Sequence, residues 1–423
     1  MKVNYIAIWI NRATFALAIV FTTSCSTYSP VSQSSYRYLY DYDSSPLHPG
    51  YVVYHLDDTL TQIFFRVHTS ELLYTRTAAD QPFRAQLKLS WTKDGSFADS
   101  LLFEDTRSSD GERWLSGNFN LNVPSGQAMQ LEVSMLDVKR LSEQSIILTV
   151  DKKDNYVSQN FLLKDASTGA ILFNNFSAEG RELQIISDRN MSGDIKVLHD
   201  PTQTKLPPPP FSSVIPELPR VEEMTLFPMR IDSANNGHPI FNTLKGRYVI
   251  CIGNDRRNGK TITVADKFYP EVASVNQLIY PLRYVTSKVE YESIESNSDP
   301  KKLIDNFWIE CSGSKERARE LIRVYYNRVK EANYYFSSYT EGWRTDRGMV
   351  HLIFGHPNSI RRTDDSETWI YGEEGNISSV SFVFRRVNYG FSGNVYTLVR
   401  DPMFRSHWER MVTTWRNGRV YNE

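Results

Sequence analysis

At 423 residues the chain is longer than a single hydrophobic core sustains, which points to two or three domains. Its 48 basic and 49 acidic side chains leave a formal charge of −1, which excludes the strongly basic face of a nucleic-acid binder. Aromatic residues at 13%, with 24 tyrosines and only three cysteines, suit β-sheet faces and exclude a disulfide-framed small fold.

Lys2 and Arg12 flank the start of the chain, and an apolar run from Ala13 to Phe21 ends at Thr22-Thr23-Ser24-Cys25. This reads as an export signal over 1–24, because the run is shorter than the ~20 residues that span a bilayer. Small residues before Cys25 are similar to a bacterial lipobox and predict lipidation there, although Thr22 stands where leucine is usual. The alternatives are an ordinary cleaved signal, with Cys25 a bystander, and a retained anchor helix, which Asn11 and Arg12 would interrupt. Loss of the two positive groups in 1–24 takes the formal charge from −1 to −3. Residues 25–47, rich in serine and tyrosine, predict a lipid-anchored tether, with alternation around Tyr36–Tyr42 allowing a strand at its end.

From 48 to 152, period-two alternation in Thr61–Val67, Phe83–Trp91, Trp114–Leu121 and Gln130–Leu136 predicts half-buried antiparallel strands. Turn signals at 93–95, 109–111 and 124–126 space them as in an immunoglobulin-like sandwich. From 153 to 292 a second β-rich domain is predicted, with strands at Asn160–Leu163, Ala170–Phe173, Leu183–Ile186 and Asp194–Leu198. It continues as a hairpin of Arg247–Gly253 and Lys260–Val264 about Asn258-Gly259. Leu206–Phe211, with four prolines in succession, predicts a stiff extended connector rather than a strand; a groove ligand is the other reading. Cys251 and Cys311 lie among apolar neighbours and read as buried thiols, with a disulfide between them chemically open.

In 293–423 helix enters. Asp299-Pro300 caps a predicted helix over 301–310, and Ser314 caps a longer one. There Ala318, Leu321, Ile322, Tyr325, Val329, Ala332 and Phe336 form one apolar stripe, and Glu331 falls with the solvated residues. A strand is expected at Val350–Phe354, and Thr368–Tyr371, Ser379–Arg385 and Val395–Val399 predict a small antiparallel sheet against which the 315–336 helix lays its stripe. A terminal helix over 402–421 carries Trp408 and Trp415, for packing or, if exposed with its arginines, for a protein partner. The fold class expected is mainly β with a C-terminal α+β domain. Two immunoglobulin-like sandwich regions precede helices packed on a small antiparallel sheet.

The run Gly342-Trp343-Arg344-Thr345-Asp346-Arg347-Gly348, closed by Gly355-His356-Pro357, resembles the signature of the GWxTD-domain proteins of Gram-negative bacteria. Tyr325–Val329, Ala332-Asn333 and Phe336 resemble the helix that precedes it, so the resemblance covers roughly 290–400. It implies a lipoprotein of the cell envelope and no established reaction. Physically, Gly342 permits a sharp turn, Trp343 plugs a core, and Gly348 opens the strand expected at Val350–Phe354. Thr345 and Asp346 cap amides, and Asp346 is expected to pair with Arg328 or Arg347.

Asp346, His351 and His356 could form an acid–base group, or with Glu367 a metal site. No HExxH, Gly-x-Ser-x-Gly or phosphate loop accompanies them. No catalytic residue, metal ligand or cofactor is therefore assigned. The expected role is a binding or assembly component of the envelope, held by a lipid anchor and engaging an envelope protein partner. The rival is a hydrolase with a cleft near Asp346. A deep polar pocket about Asp346 would favour the hydrolase, and a buried Asp346 paired with arginine would favour the scaffold.

Overall fold

Alternate residues of β2, Leu60–His68, are buried along its whole length, the pattern of a strand with one face in a core. In the computed structural model, which describes Tyr40 and residues 45–419 apart from 94–95, 108–110, 154–156, 188–192, 233–236, 254–258, 364, 374–375, 377–378 and 388–391, β2 lies between β1 (Gly50–His55) and β5 (Trp114–Asn122). A second sheet faces it. Its order is β4-β3-β6-β7, from β3 (Arg84–Lys93), β4 (Ser96–Thr106), β6 (Ala128–Asp137) and β7 (Ser142–Asp151). These orders match an immunoglobulin-like Greek key in which the fourth strand has joined the opposite sheet. Ile63, Phe65 and Phe119 from one sheet meet Leu87, Leu89, Trp91, Val133 and Met135 from the other, with Trp91 stacked on Phe119 at 4.0 Å. The alternating segments are strands as predicted. β1, β4 and β7 join them without having been anticipated.

The second β region is also two facing sheets. One runs β13-β14-β10-β8, from β8 (Leu162–Asp165), β10 (Glu182–Ile186), β13 (Arg230–Asp232) and β14 (His238–Asn242). The other runs β12-β11-β15-β16-β9, from β9 (Phe176–Ala178), β11 (Ile195–Asp200), β12 (Thr225–Leu226), β15 (Gly246–Ile252) and β16 (Lys260–Ala265). Phe161, Leu163, Ile185 and Phe241 pack on Val197, Tyr248, Ile250 and Ile262 between them. β15 is apolar on both faces because Val249 and Cys251 pack outward against Val221 and Met224. The strand expected at Ala170–Phe173 reduces to one bridge, Lys164 to Ile171. The tip of the 258–259 hairpin lies mostly outside the described residues, but β15 and β16 pair antiparallel as expected. Cys251 is buried and Cys311 half-buried, and the two are not joined in a disulfide.

Helix begins earlier than the expected 299. α1 (Val275–Ile279) and α2 (Lys288–Glu295) each start in a reciprocal cap, Ser274 with Gln277 and Ser287 with Glu290. These Ser-x-x-Gln/Glu boxes satisfy two amides at once and specify helix starts over short segments. α3 (Pro300–Ser312) and α4 (Lys315–Phe336) follow, capped by Asp299 and Ser314 as predicted. The predicted strand at Val350–Phe354 is instead the end of α5 (Asp346–Phe354). All nine residues of α5 are buried, and an apolar run buried all round has the same signature as a buried strand. β17 (Ser359–Arg362), β18 (Ser366–Tyr371), β19 (Val380–Arg386) and β20 (Tyr396–Leu398) form one antiparallel sheet in chain order. α6 (Phe404–Arg416) closes the domain with Trp408 and Trp415 turned into the core.

All described residues belong to one compact unit, Tyr36–Glu423; Cys25 and the leader lie outside the described residues. Two residues placed by sequence in the tether are core residues. Tyr40 packs among Phe336, Tyr335 and Trp369, and Leu47 is buried in the first sandwich. Among the described residues no helix is long and apolar enough to cross a membrane.

Candidate functional site

The signature is a corner between α4 and α5. A single 3-10 turn, Gly342–Arg344, leads to Thr345, whose hydroxyl donates to Gly342 O at 2.8 Å and accepts from the Gly348 amide at 3.0 Å. Backbones approach so closely that no side chain fits at either glycine. A Cβ on Gly342 would stand 1.8 Å from Ala332 O, and one on Gly348 would stand 2.0 Å from Gly342 O. Trp343 is buried; its amide donates to Asn333 Oδ1 and its carbonyl accepts from Tyr284 Oη. Gly355, the C-cap of α5, has φ +79, and a Cβ there would strike the Arg328 guanidinium. Arg328 donates to the Leu352 and Ile353 carbonyls at that helix end, and the adjoining Pro357 is buried. Gly342, Trp343, Thr345 and Gly348 thus meet at the start of α5, while Gly355 and Pro357 lie at its other end, Gly355 against Arg328.

The corner's charged groups are sealed inside the protein. Asp346, 3% exposed, accepts from Leu398 N at 2.8 Å and from both terminal nitrogens of Arg400 at 3.0 and 2.5 Å. Burial raises its carboxyl above the ordinary value, against the lowering by Arg400 and the Leu398 amide. The expected partners, Arg328 and Arg347, are engaged elsewhere. Arg347 donates to Tyr40 Oη at 3.0 Å, to Glu367 Oε2 at 3.4 Å and to Asn394. Glu367 in turn accepts from Tyr40 Oη and Trp369 Nε1. The N-terminal dipole of α5 favours a carboxylate at Asp346, and the β20 edge supplies the arginine two residues past its end.

The second sandwich grips the same corner. Arg247 of β15 pairs with Asp200 and donates to Tyr339 O, and Thr263 of β16 donates to Ser338 O at 3.0 Å. Tyr269 Oη accepts from the Gly342 amide at 3.2 Å. The connector 201–211 lies across it: Arg344 donates to Thr204 O, and Arg400 donates to Pro208 O at 2.9 Å. Between Leu206–Phe211 and α6 runs a largely apolar groove of about 620 Å³, walled by Leu206, Pro207, Tyr284, Trp408 and Val412.

The two histidines meet each other but neither expected carboxylate. Their rings are 4.9 Å apart, and both face Glu331 of α4, its Oε2 2.9 Å from His351 Nε2 and 3.4 Å from His356 Nε2. Burial holds His351 down at about 4 despite Glu331, so it is neutral at pH 7. Burial of Glu331 opposes its ionisation, but hydrogen bonds from the two imidazoles prevail and keep the carboxyl well below the usual range. Glu331 was missed because helical phase put it beside, not on, the apolar stripe.

Residues 246–417 match the family model described as the GWxTD domain. The match begins with β15, upstream of the expected start at 293, and so takes in the strands whose Arg247 and Thr263 hold the signature loop. No curated protein matches the chain. Among solved structures, a Bacteroides uniformis beta-glucuronidase 2 covalently bound to cyclophellitol-6-carboxylate aziridine is similar at 12% identity, over 32% of this chain and 14% of that one, with a TM-score of 0.18. The signature, the helix before it and the strands around it all lie within the matched span, so residues 246–417 of this chain form a GWxTD domain.

Proposed function

We propose that this protein is a lipid-anchored component of the cell envelope, at the outer membrane on its periplasmic or surface face, and acts in binding or assembly through its GWxTD domain. The observation that carries this reading is the state of the signature itself. Asp346 and Arg347 are buried and spend their hydrogen-bonding capacity on Arg400, Glu367, Tyr40 and Asn394. Groups so paired build a rigid corner and have little freedom to exchange protons with a substrate. Lipidation at Cys25 supplies the anchor in this reading. The apolar groove between the proline run and α6 is the surface we assign to an envelope protein partner.

The test is co-purification of the membrane-extracted protein, wild type against Val412→Arg in the groove and Cys25→Ala at the anchor. A stoichiometric envelope protein kept by wild type and lost with Val412→Arg is the expected result. Cys25→Ala should release the protein from the membrane fraction. Identical co-purifying proteins from wild type and Val412→Arg would remove the groove from this reading, and membrane retention of Cys25→Ala would remove the anchor.

A further inference from the structure

We infer that Glu331, His351 and His356 form a binding site for a divalent transition-metal ion of the zinc type. Three protein donors, two imidazoles and one carboxylate, present ligand atoms that all lie within 4.8 Å of one another. Two ligands about 2.1 Å from a tetrahedral zinc are about 3.4 Å apart, close to the separations of 2.9 and 3.4 Å found here. The donors come from two packed helices and a glycine turn: Glu331 from α4, His351 from α5, and His356 from the residue after Gly355. Their backbones are therefore held before any ion arrives. With both imidazoles neutral, as metal ligation requires, the set would carry one negative charge, a match for a borderline-soft dication and for neither calcium nor magnesium, which take oxygen ligands.

A route and an open coordination position are also present. Glu331 and His356 line a cavity of about 600 Å³ between α4 and the first sandwich, whose opposite wall includes His48, His68, Glu71 and Trp114. His351 closes the inner side and is fully buried. Three protein ligands with the fourth position toward a cavity is the arrangement of a zinc site that takes water or a small ligand. His351 Nδ1 has no hydrogen-bond partner among the described residues. The ring proton therefore sits on Nε2, donating to Glu331, and moves to Nδ1 when Nε2 takes the ion. An unsupported Nδ1 weakens such a site by roughly ten- to a hundredfold against one with a partnered ring. This places it among exchangeable sites and apart from permanent structural ones.

The experiment uses the full-length, membrane-extracted protein stripped with chelator and titrated with zinc by calorimetry and with cobalt by visible absorption. One ion per chain and the intense visible bands of four-coordinate cobalt are expected. Glu331→Gln and His356→Ala should each lower affinity at least tenfold, while His68→Ala, in the same cavity, leaves it unchanged. His356 is partly exposed, so its truncation leaves the core filled, and thermal unfolding in chelator checks that each variant folds. Absence of stoichiometric binding by the wild type overturns the assignment. So does binding that survives both ligand substitutions, or binding that His68→Ala abolishes as fully as they do.

Discussion

Tyr40 Oη donates to Glu367 Oε1 at 2.8 Å, joining the first described residue of the chain to a carboxylate in the middle of the C-terminal sheet. The same hydroxyl accepts from Arg347 of the signature, and the ring packs edge-on to Phe336 at 4.9 Å. Tyr40, which composition places in a tether, is thus a core residue packed against the GWxTD domain.

Tyr40→Phe keeps the ring and removes the hydroxyl, leaving Glu367 and Arg347 one partner short in a buried site. A loss of about 1–3 kcal/mol is expected. Tyr40→Ala also empties the ring's volume and should cost about 3–5 kcal/mol. Urea unfolding of the two variants measures both, and equal midpoints for wild type and Tyr40→Ala would show that the segment does not dock in solution.

Asp346→Asn leaves the Arg400 guanidinium buried without its counter-charge. Breaking one side of a buried ion pair typically costs about 3–5 kcal/mol. Replacing both groups, Asp346→Asn with Arg400→Met, should recover a large part of that loss, because the uncompensated charge is gone. A double-mutant cycle by denaturant unfolding reads the coupling, and strictly additive losses would mean the pair is not formed.

Gly342→Ala is expected to cost more than about 4 kcal/mol, since its methyl would lie inside contact distance of the Ala332 carbonyl and one backbone must move. Gly126→Ala is the control. There φ is +82 with nothing within 4 Å, so only the left-handed backbone penalty of about 1–2 kcal/mol applies. Comparable melting temperatures for the two variants would contradict the close approach of α4 and the corner.

Glu290 of α2 forms a paired contact with Arg416 of α6, with oxygen–nitrogen distances of 2.9 and 2.7 Å. The hydrogen bonds from Arg416 outweigh burial and hold the Glu290 carboxyl down at about 2. With a folded value below the unfolded one, the unfolded chain binds the extra proton between them. This contribution is therefore full above about pH 4.5 and is lost as pH falls toward 2. Both side chains are more than a third exposed, so solvent screening keeps it small. Acid titration of stability for wild type and Glu290→Gln should converge at low pH, and parallel curves down to pH 2 would exclude the pairing.

Local order was legible wherever one residue type carries a local physical cause. Period-two burial marked β2, β3, β5 and β6, and the Asp299 and Ser314 caps marked α3 and α4. The signature marked Gly342 and Gly348, but the reason for them, backbones closer together than a Cβ allows, came only from the packing of the corner against α4. What sequence determined is thus many of the strands, the starts of α3 and α4, the layered β-then-α+β plan and the place of the signature. Partner choice belonged to the tertiary structure. Asp346 pairs with Arg400 rather than a near neighbour because β20 ends beside the start of α5. His351 faces Glu331 because its segment is helix, a distinction an all-apolar run does not encode. Tyr40 fills a cavity whose walls come from α4 and the C-terminal sheet, hundreds of residues away. Burial and ion pairing depend on which distant surfaces close together, and that is decided only when the whole chain has packed.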